Sequence, residues 1–247
     1  MASISETGHP INLANFETIV ADITSYGAIY NPSKTTLKLT AVAALLTTSK
    51  NAHAGVLSAI STLNLAKDAR AVAFKTLSPL VTKTLNALKA TDTTKQVDES
   101  AQTLVRKLQG RRATPKKTEE QKQVAIDAGK ETIEISSSQM SFDSRIDNFD
   151  KLIKLLSSVT LYTPNESELK VISLVSTLND LKAKNLAVTN AEVAVNNARI
   201  LRFDAMYKEN VGLIDISYDI KTYIKSVFGA TSQQYKKISS LKFTKPR

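Results

Sequence analysis

The sequence predicts an all-α protein of two tandem, internally duplicated helical-bundle units with long antiparallel helices. Apolar residues recur at helical spacing through most of its 247 residues. Only seven glycines and six prolines interrupt those runs. Two stretches of the chain also repeat the same landmarks in the same order, which is the signature of an internal repeat.

The first unit is expected over residues 1–110. Leu13, Phe16, Val20 and Ile23 share one face of a helix over 11–27. Tyr30-Asn31-Pro32 then stops it, because the residue before a proline is pushed out of the helical region. Helices over 33–64 and 65–90 follow, and Ser78-Pro79 predicts a kink or break in the second of them. A helix over 93–109 carries Val97, Ala101, Leu104 and Leu108 on one stripe, with Gly110 placed to end it.

A charged linker over 111–137 contains Pro115 and Gly129, with a helical stretch near 117–127 and a strand-like alternation over 131–135. The second unit, 138–247, is expected as helices over 138–157, 165–189, 191–228 and 231–239. Phe142, Ile146, Phe149, Ile153 and Leu156 form the stripe of its first helix, behind serines able to cap it.

Landmarks of the two units pair in order. Asn15-Phe16-Glu17 answers Asn148-Phe149-Asp150, and Tyr30-Asn31-Pro32 answers Tyr162-Thr163-Pro164. Ala69-Arg70 with Phe74 answers Ala198-Arg199 with Phe203, and Ala90-Thr91 answers Ala230-Thr231. The long helix of the first unit also carries a seam of small residues, Ala41, Ala44, Thr48, Ala52, Gly55 and Ala59. Such a seam admits a close neighbour. Its short connection to the next helix favours packing inside the unit over a face for a partner or second copy.

Chemistry is scarce. The chain has no cysteine and two histidines, which excludes zinc–thiolate sites, disulfides, thiol catalysis and a multi-histidine cage. His53 lies mid-helix without a nucleophile motif beside it, and His9 sits in a terminus expected to fray. Asp143, Asp147 and Asp150 share a helix face near its N-terminus, where negative charge is favoured without any metal. Neither glycine-rich phosphate loop occurs. No catalytic residue, metal or cofactor is therefore expected, and the protein reads as non-enzymatic.

What stands out is charge: 33 basic against 23 acidic residues, a net charge of +10. The excess is spread along the chain, yet Arg106, Lys107, Arg111, Arg112, Lys116 and Lys117 cluster where a helix ends. Lys236 and Lys237, with Lys242, Lys245 and Arg247 behind them, close the second unit at the matching place. Such clusters either complement the helix dipole or bind phosphates.

Tyr30-Asn31-Pro32-Ser33, residues 107–112 (Lys-Leu-Gln-Gly-Arg-Arg), Arg145 with residues 148–153, residues 161–166 and residues 223–230 resemble phrases of an internally duplicated, all-helical bacterial family of unknown function. The resemblance covers most of the chain and implies no activity.

The first 10 residues lack the basic and apolar regions of a secretory signal, so a cytoplasmic protein is expected. The expected function is that of a scaffold or self-assembling interaction protein, with a protein partner or its own copy. The alternatives are a nucleic-acid- or ribosome-associated binding protein and a helical pore-former inserting residues 39–66. That last stretch is polar for a membrane.

Overall fold

A computed structural model describes residues 8–111, 118–128 and 140–245. Among them the regular structure is helical and no strand occurs. The strand-like alternation over 131–135 lies outside the described residues.

The local signals act where the sequence places them. Helix α1 (His9–Ser25) has Pro10 in its first turn, where the missing N–H costs nothing. Its buried face carries Leu13, Phe16, Ile19 and Ile23. Helix α2 (Leu39–Lys75) ends just ahead of α3 (Leu77–Lys89), whose third residue is Pro79. Proline removes the N–H that would bond the Lys75 carbonyl and crowds that carbonyl, so the break falls there. Helix α4 (Lys95–Gln109) closes on Gly110, at φ 67° in the left-handed region. After α5 (Glu119–Asp127), the Ser141 hydroxyl accepts the Ser144 N–H at 3.1 Å and caps α6 (Phe142–Ser158).

Helix α7 (Val171–Tyr207) runs without interruption through residue 190, where the sequence suggested a break. The chain turns instead at 208–212, and Asn210 adopts a φ of 65° there. Gly212 is required at that turn: a Cβ would stand 2.7 Å from the backbone N and O of Lys208. Helices α8 (Leu213–Phe228) and α9 (Gln233–Ser240) complete the chain, the latter capped by Ser232. Residues 33–38, expected as helix, form a 3-10 turn (Thr35–Leu37), and a second such turn (Ser167–Leu169) precedes α7.

The chain divides into two compact units that differ from the tandem segments 1–110 and 138–247. One joins residues 1–64 to 190–247, and the other is residues 65–189. Each therefore draws on both halves of the sequence. The physical reason lies in α2 and α7. Each is 37 residues long and crosses a unit boundary, so each half hands its later helices to the other unit's core. In unit 1, α1, the start of α2, the end of α7, α8 and α9 bury Phe16, Ile19, Val42, Met206, Leu213 and Ile220. In unit 2, the end of α2, α3, α4, α6 and the start of α7 bury Phe74, Val81, Leu88, Leu108, Phe149 and Leu174.

Both units contain one repeated detail. The Tyr30 hydroxyl donates to the Leu37 carbonyl at 2.7 Å, and the Tyr162 hydroxyl to the Leu169 carbonyl at 2.8 Å. In each case the phenol folds back over the turn that begins a 37-residue helix.

Candidate functional site

The basic residues singled out in the sequence meet different fates. Arg112, Lys116 and Lys117 lie outside the described residues. Lys236 and Lys237 are exposed on α9 in unit 1. Lys237 is committed to Asp22 at 2.5 Å, and this hydrogen bond and charge raise the pKa of its ammonium. Lys245 is likewise paired, with Asp215 at 2.8 Å. Arg106 and Lys107 are half-buried on the last turn of α4, and Arg111 follows exposed behind Gly110. None of these three takes part in an ion pair among the described residues. The two clusters, matched in sequence, are thus unlike in structure.

The end of unit 2 that carries them is built from four chain segments. Gln109 Nε2 donates to the Ser78 carbonyl at 3.3 Å and to Thr82 Oγ1 at 2.7 Å, which ties the end of α4 to the start of α3. Gly110 lies against the Met140 side chain, just ahead of α6. Arg145, in the first turn of α6, reaches the Phe74 carbonyl in the last turn of α2 at 3.0 Å. Ordinary helix-dipole physics favours a cation there.

Two arginines and two phenylalanines interleave at this joint. The Arg70 guanidinium lies 3.9 Å from the Phe142 ring centroid, and the Arg145 guanidinium 5.1 Å from that of Phe74. The two rings meet edge to face at 4.8 Å. Arg70 Nη1 donates to Asn185 Oδ1 at 2.9 Å, and Asn185 passes a 2.8 Å bond on to Asp143. The Nε atoms of both arginines are buried without an acceptor. Burial lowers the pKa of Arg145, as expected for a cation with no carboxylate beside it. Arg70 and Arg145 went unremarked in the sequence as binding residues. Arginine beside phenylalanine is not a motif; only the fold makes them neighbours.

Asp143, Asp147 and Asp150 do share the exposed side of α6, each with a partner of its own: Asn185, Lys151 and Lys154. A cleft of about 580 Å³ with a mixed lining lies between α3 and the turn at residues 162–169. Lys83 and Glu168 on its wall neutralise each other at 2.8 Å.

Unit 1 overturns the reading of His9 as a frayed residue. It is 2 % exposed at the start of α1, with Nδ1 2.5 Å from the Tyr207 hydroxyl. Asn12 is fully buried one turn on. It donates to the Thr244 carbonyl at 2.8 Å and accepts the Thr244 N–H at 3.1 Å. His53 lies 6.2 Å from His9, ring to ring, and buried Arg202 bears on Tyr207 electrostatically. Burial raises the Tyr207 pKa, while Asn12 and Arg202 oppose that rise. The cluster fastens the chain's C-terminal segment to α1.

The small-residue seam of α2 also departs from expectation. Rather than vanishing under a neighbour, Ala44, Thr48 and Gly55 are exposed. Thr48, Asn51, Ala52 and Gly55 form one wall of a mainly apolar groove of about 390 Å³, and Ala198 and Leu201 of α7 form the other. Leu57, Ile200 and Leu201 stand 51–64 % exposed on the same helix segments.

No family model, curated protein or solved structure matches the chain, in keeping with a resemblance that carries no assigned function. Among the described residues, no helix is long and apolar enough to cross a membrane.

Proposed function

We propose that this protein is a non-catalytic helical scaffold that self-associates through the groove of unit 1. The observation that carries the reading is Gly55. Mid-helix glycine costs about 0.5–1 kcal/mol relative to alanine. Among the described residues, and apart from its own stretch of helix, nothing lies within 4 Å of where its Cβ would stand, so packing against another element does not account for it. A hole at Gly55 and a knob at Leu201, which is 64 % exposed, occupy one patch. A patch holding both is self-complementary, as a two-fold interface requires.

Duplication belongs to the same reading. The equal lengths of α2 and α7, the equal 17-residue lengths of α1 and α6, and the two tyrosine-bonded turns support it. The exposed apolar residues of α2 and α7 support helix–helix contact as the mode of interaction.

Light scattering across a concentration series tests the proposal, with a dimer expected for the parent chain. Gly55→Leu, which fills the hole, and Leu201→Glu, which charges the knob, are each expected to give monomers with unchanged helicity. Gly55→Ala separates the two effects, raising monomer stability by about 0.5–1 kcal/mol while weakening association. A parent protein monomeric at 100 μM, taken as about the weakest useful association, would reject the reading. So would variants that dimerise as the parent does.

A further inference from the structure

We infer that the end of unit 2 where α2 and α4 finish and α6 begins is a binding site for a phosphate oxyanion, held by Arg70 and Arg145 and flanked by Arg106, Lys107 and Arg111. This inference is independent of the groove in unit 1.

The argument begins with charge balance. Among the described residues none of Arg70, Arg106, Arg111 and Arg145 takes part in an ion pair, and the four gather at one end of unit 2. Guanidinium is the group suited to planar, bidentate recognition of phosphate.

Geometry makes the second point. Arg70 and Arg145 are held before any ligand arrives, by a ring under each guanidinium and one hydrogen bond each, to Asn185 and to the Phe74 carbonyl. Arg70 Nη2 and Arg145 Nη1 make no hydrogen bond within the protein among the described residues. Two half-buried, pre-positioned cations with donors to spare lose little side-chain entropy on binding an anion.

The third point is the contrast with unit 1. There the first turn of α1 meets the last turn of α7 through His9, Asn12 and Tyr207, which are buried and hydrogen-bonded to one another. That joint is enclosed, whereas Arg70 and Arg145 in unit 2 are only half-buried. Among the described residues, the carboxylate tied into the stack is that of Asp143, reached through Asn185.

Phosphate oxyanions come from small phosphates or from a nucleic-acid backbone, and two probes distinguish them. Calorimetry of the full chain with inorganic pyrophosphate, and fluorescence anisotropy with a labelled single-stranded oligonucleotide, are run at low and high salt. Binding of at least one probe is expected, weakening steeply as salt rises. Binding of pyrophosphate alone assigns a small phosphate; binding of the oligonucleotide assigns the backbone.

Arg70→Gln with Arg145→Gln is expected to weaken binding at least tenfold. Arg106→Gln, Lys107→Gln and Arg111→Gln together, which leave the joint intact, are expected to weaken it several-fold with no change in thermal melting. Lys236→Gln on unit 1 is expected to leave it unchanged. The inference is overturned if neither probe binds at low salt, or if both arginine-site variants bind as the parent does. A Lys236→Gln loss equal to theirs overturns it too, because the attraction would then follow net charge.

Discussion

The two units build comparable joints from different side chains. In unit 1 the first turn of α1 offers His9 and Asn12 to Tyr207 at the end of α7, and the group is deeply buried. In unit 2 the first turn of α6 offers Phe142 and Arg145 to Phe74 at the end of α2, and the group is cationic and half-buried. Both pairs stand three residues apart at the head of a 17-residue helix. Shared architecture thus fixes where the contact falls, while the side chains decide whether it is closed or retains binding capacity.

The largest effects should follow from the two core phenylalanines, Phe16 and Phe149, each fully buried at the matching place in α1 and α6. Phe16→Ala and Phe149→Ala should each cost about 3–5 kcal/mol in denaturant unfolding. Native-state hydrogen exchange should show Phe16→Ala loosening α1 and α8 first, and Phe149→Ala loosening α4 and α6. Equal loosening of all four helices by either variant would instead mean that the two cores unfold as one.

The joints themselves come next. Asn12→Ala strips both backbone hydrogen bonds from Thr244 and should cost about 1–3 kcal/mol. Exchange at the Thr244 amide should accelerate with it. Arg145→Ala removes one bond to a carbonyl and one ring contact, and should cost about 1 kcal/mol. The reverse order would mean that the cationic joint is the structural one.

A third distinction lies in alkali. Burial, with the Glu166 carboxylate adding to it, holds the Tyr162 phenol up to about 12, against an ordinary value near 10. The folded pKa exceeds the unfolded one, so the stabilisation is complete below about pH 10 and is lost as pH rises through about 12. Burial, reinforced by Tyr223, pushes Tyr30 higher still. Both losses begin at about pH 10, and the larger shift loses more. Unit 1, where Tyr26, Tyr30 and Tyr207 are all raised, should therefore loosen no later than unit 2. A tyrosinate absorbance step at about 12 should vanish in Tyr162→Phe.

The smallest effect concerns a reversal of charge. In unit 1, Lys34 ahead of the turn pairs with Asp219 on α8; in unit 2, Glu168 of the turn pairs with Lys83 on α3. The sign of the charge on the turn side is thus reversed between the two units. These pairs are exposed, so Asp219→Lys or Lys83→Glu should cost below about 1 kcal/mol each. Lys34→Asp should recover the Asp219→Lys loss in a double-mutant cycle. No recovery would mean that Lys34 and Asp219 contribute nothing as a pair.

Much of the local structure was legible in the residues. The stripes that became buried faces in α1, α4 and α6, the Gly110 stop and the proline break after Lys75 all act within a few residues. Periodicity and steric rules reach that far. The breaks at 64/65 and 189/191 were misplaced because polar, alanine-rich helix reads alike whether it ends or continues. Only Asn210 and Gly212 mark where α7 truly stops.

The candidate sites were less legible still. Arg106, Lys107 and Arg111 were visible as a run of charge, but not that they lack ion-pair partners while Lys237 and Lys245 have theirs. Arg70 and Arg145 lie 75 positions apart and gain meaning only from the rings between them. The sequence by itself determined the helical class, the caps and the apolar faces, because each is set by neighbours along one turn. The tertiary structure alone decided which halves share a core, that His9 is buried and that Gly55 is open. Those outcomes depend on surfaces brought together from more than a hundred residues apart, and no local pattern encodes their pairing.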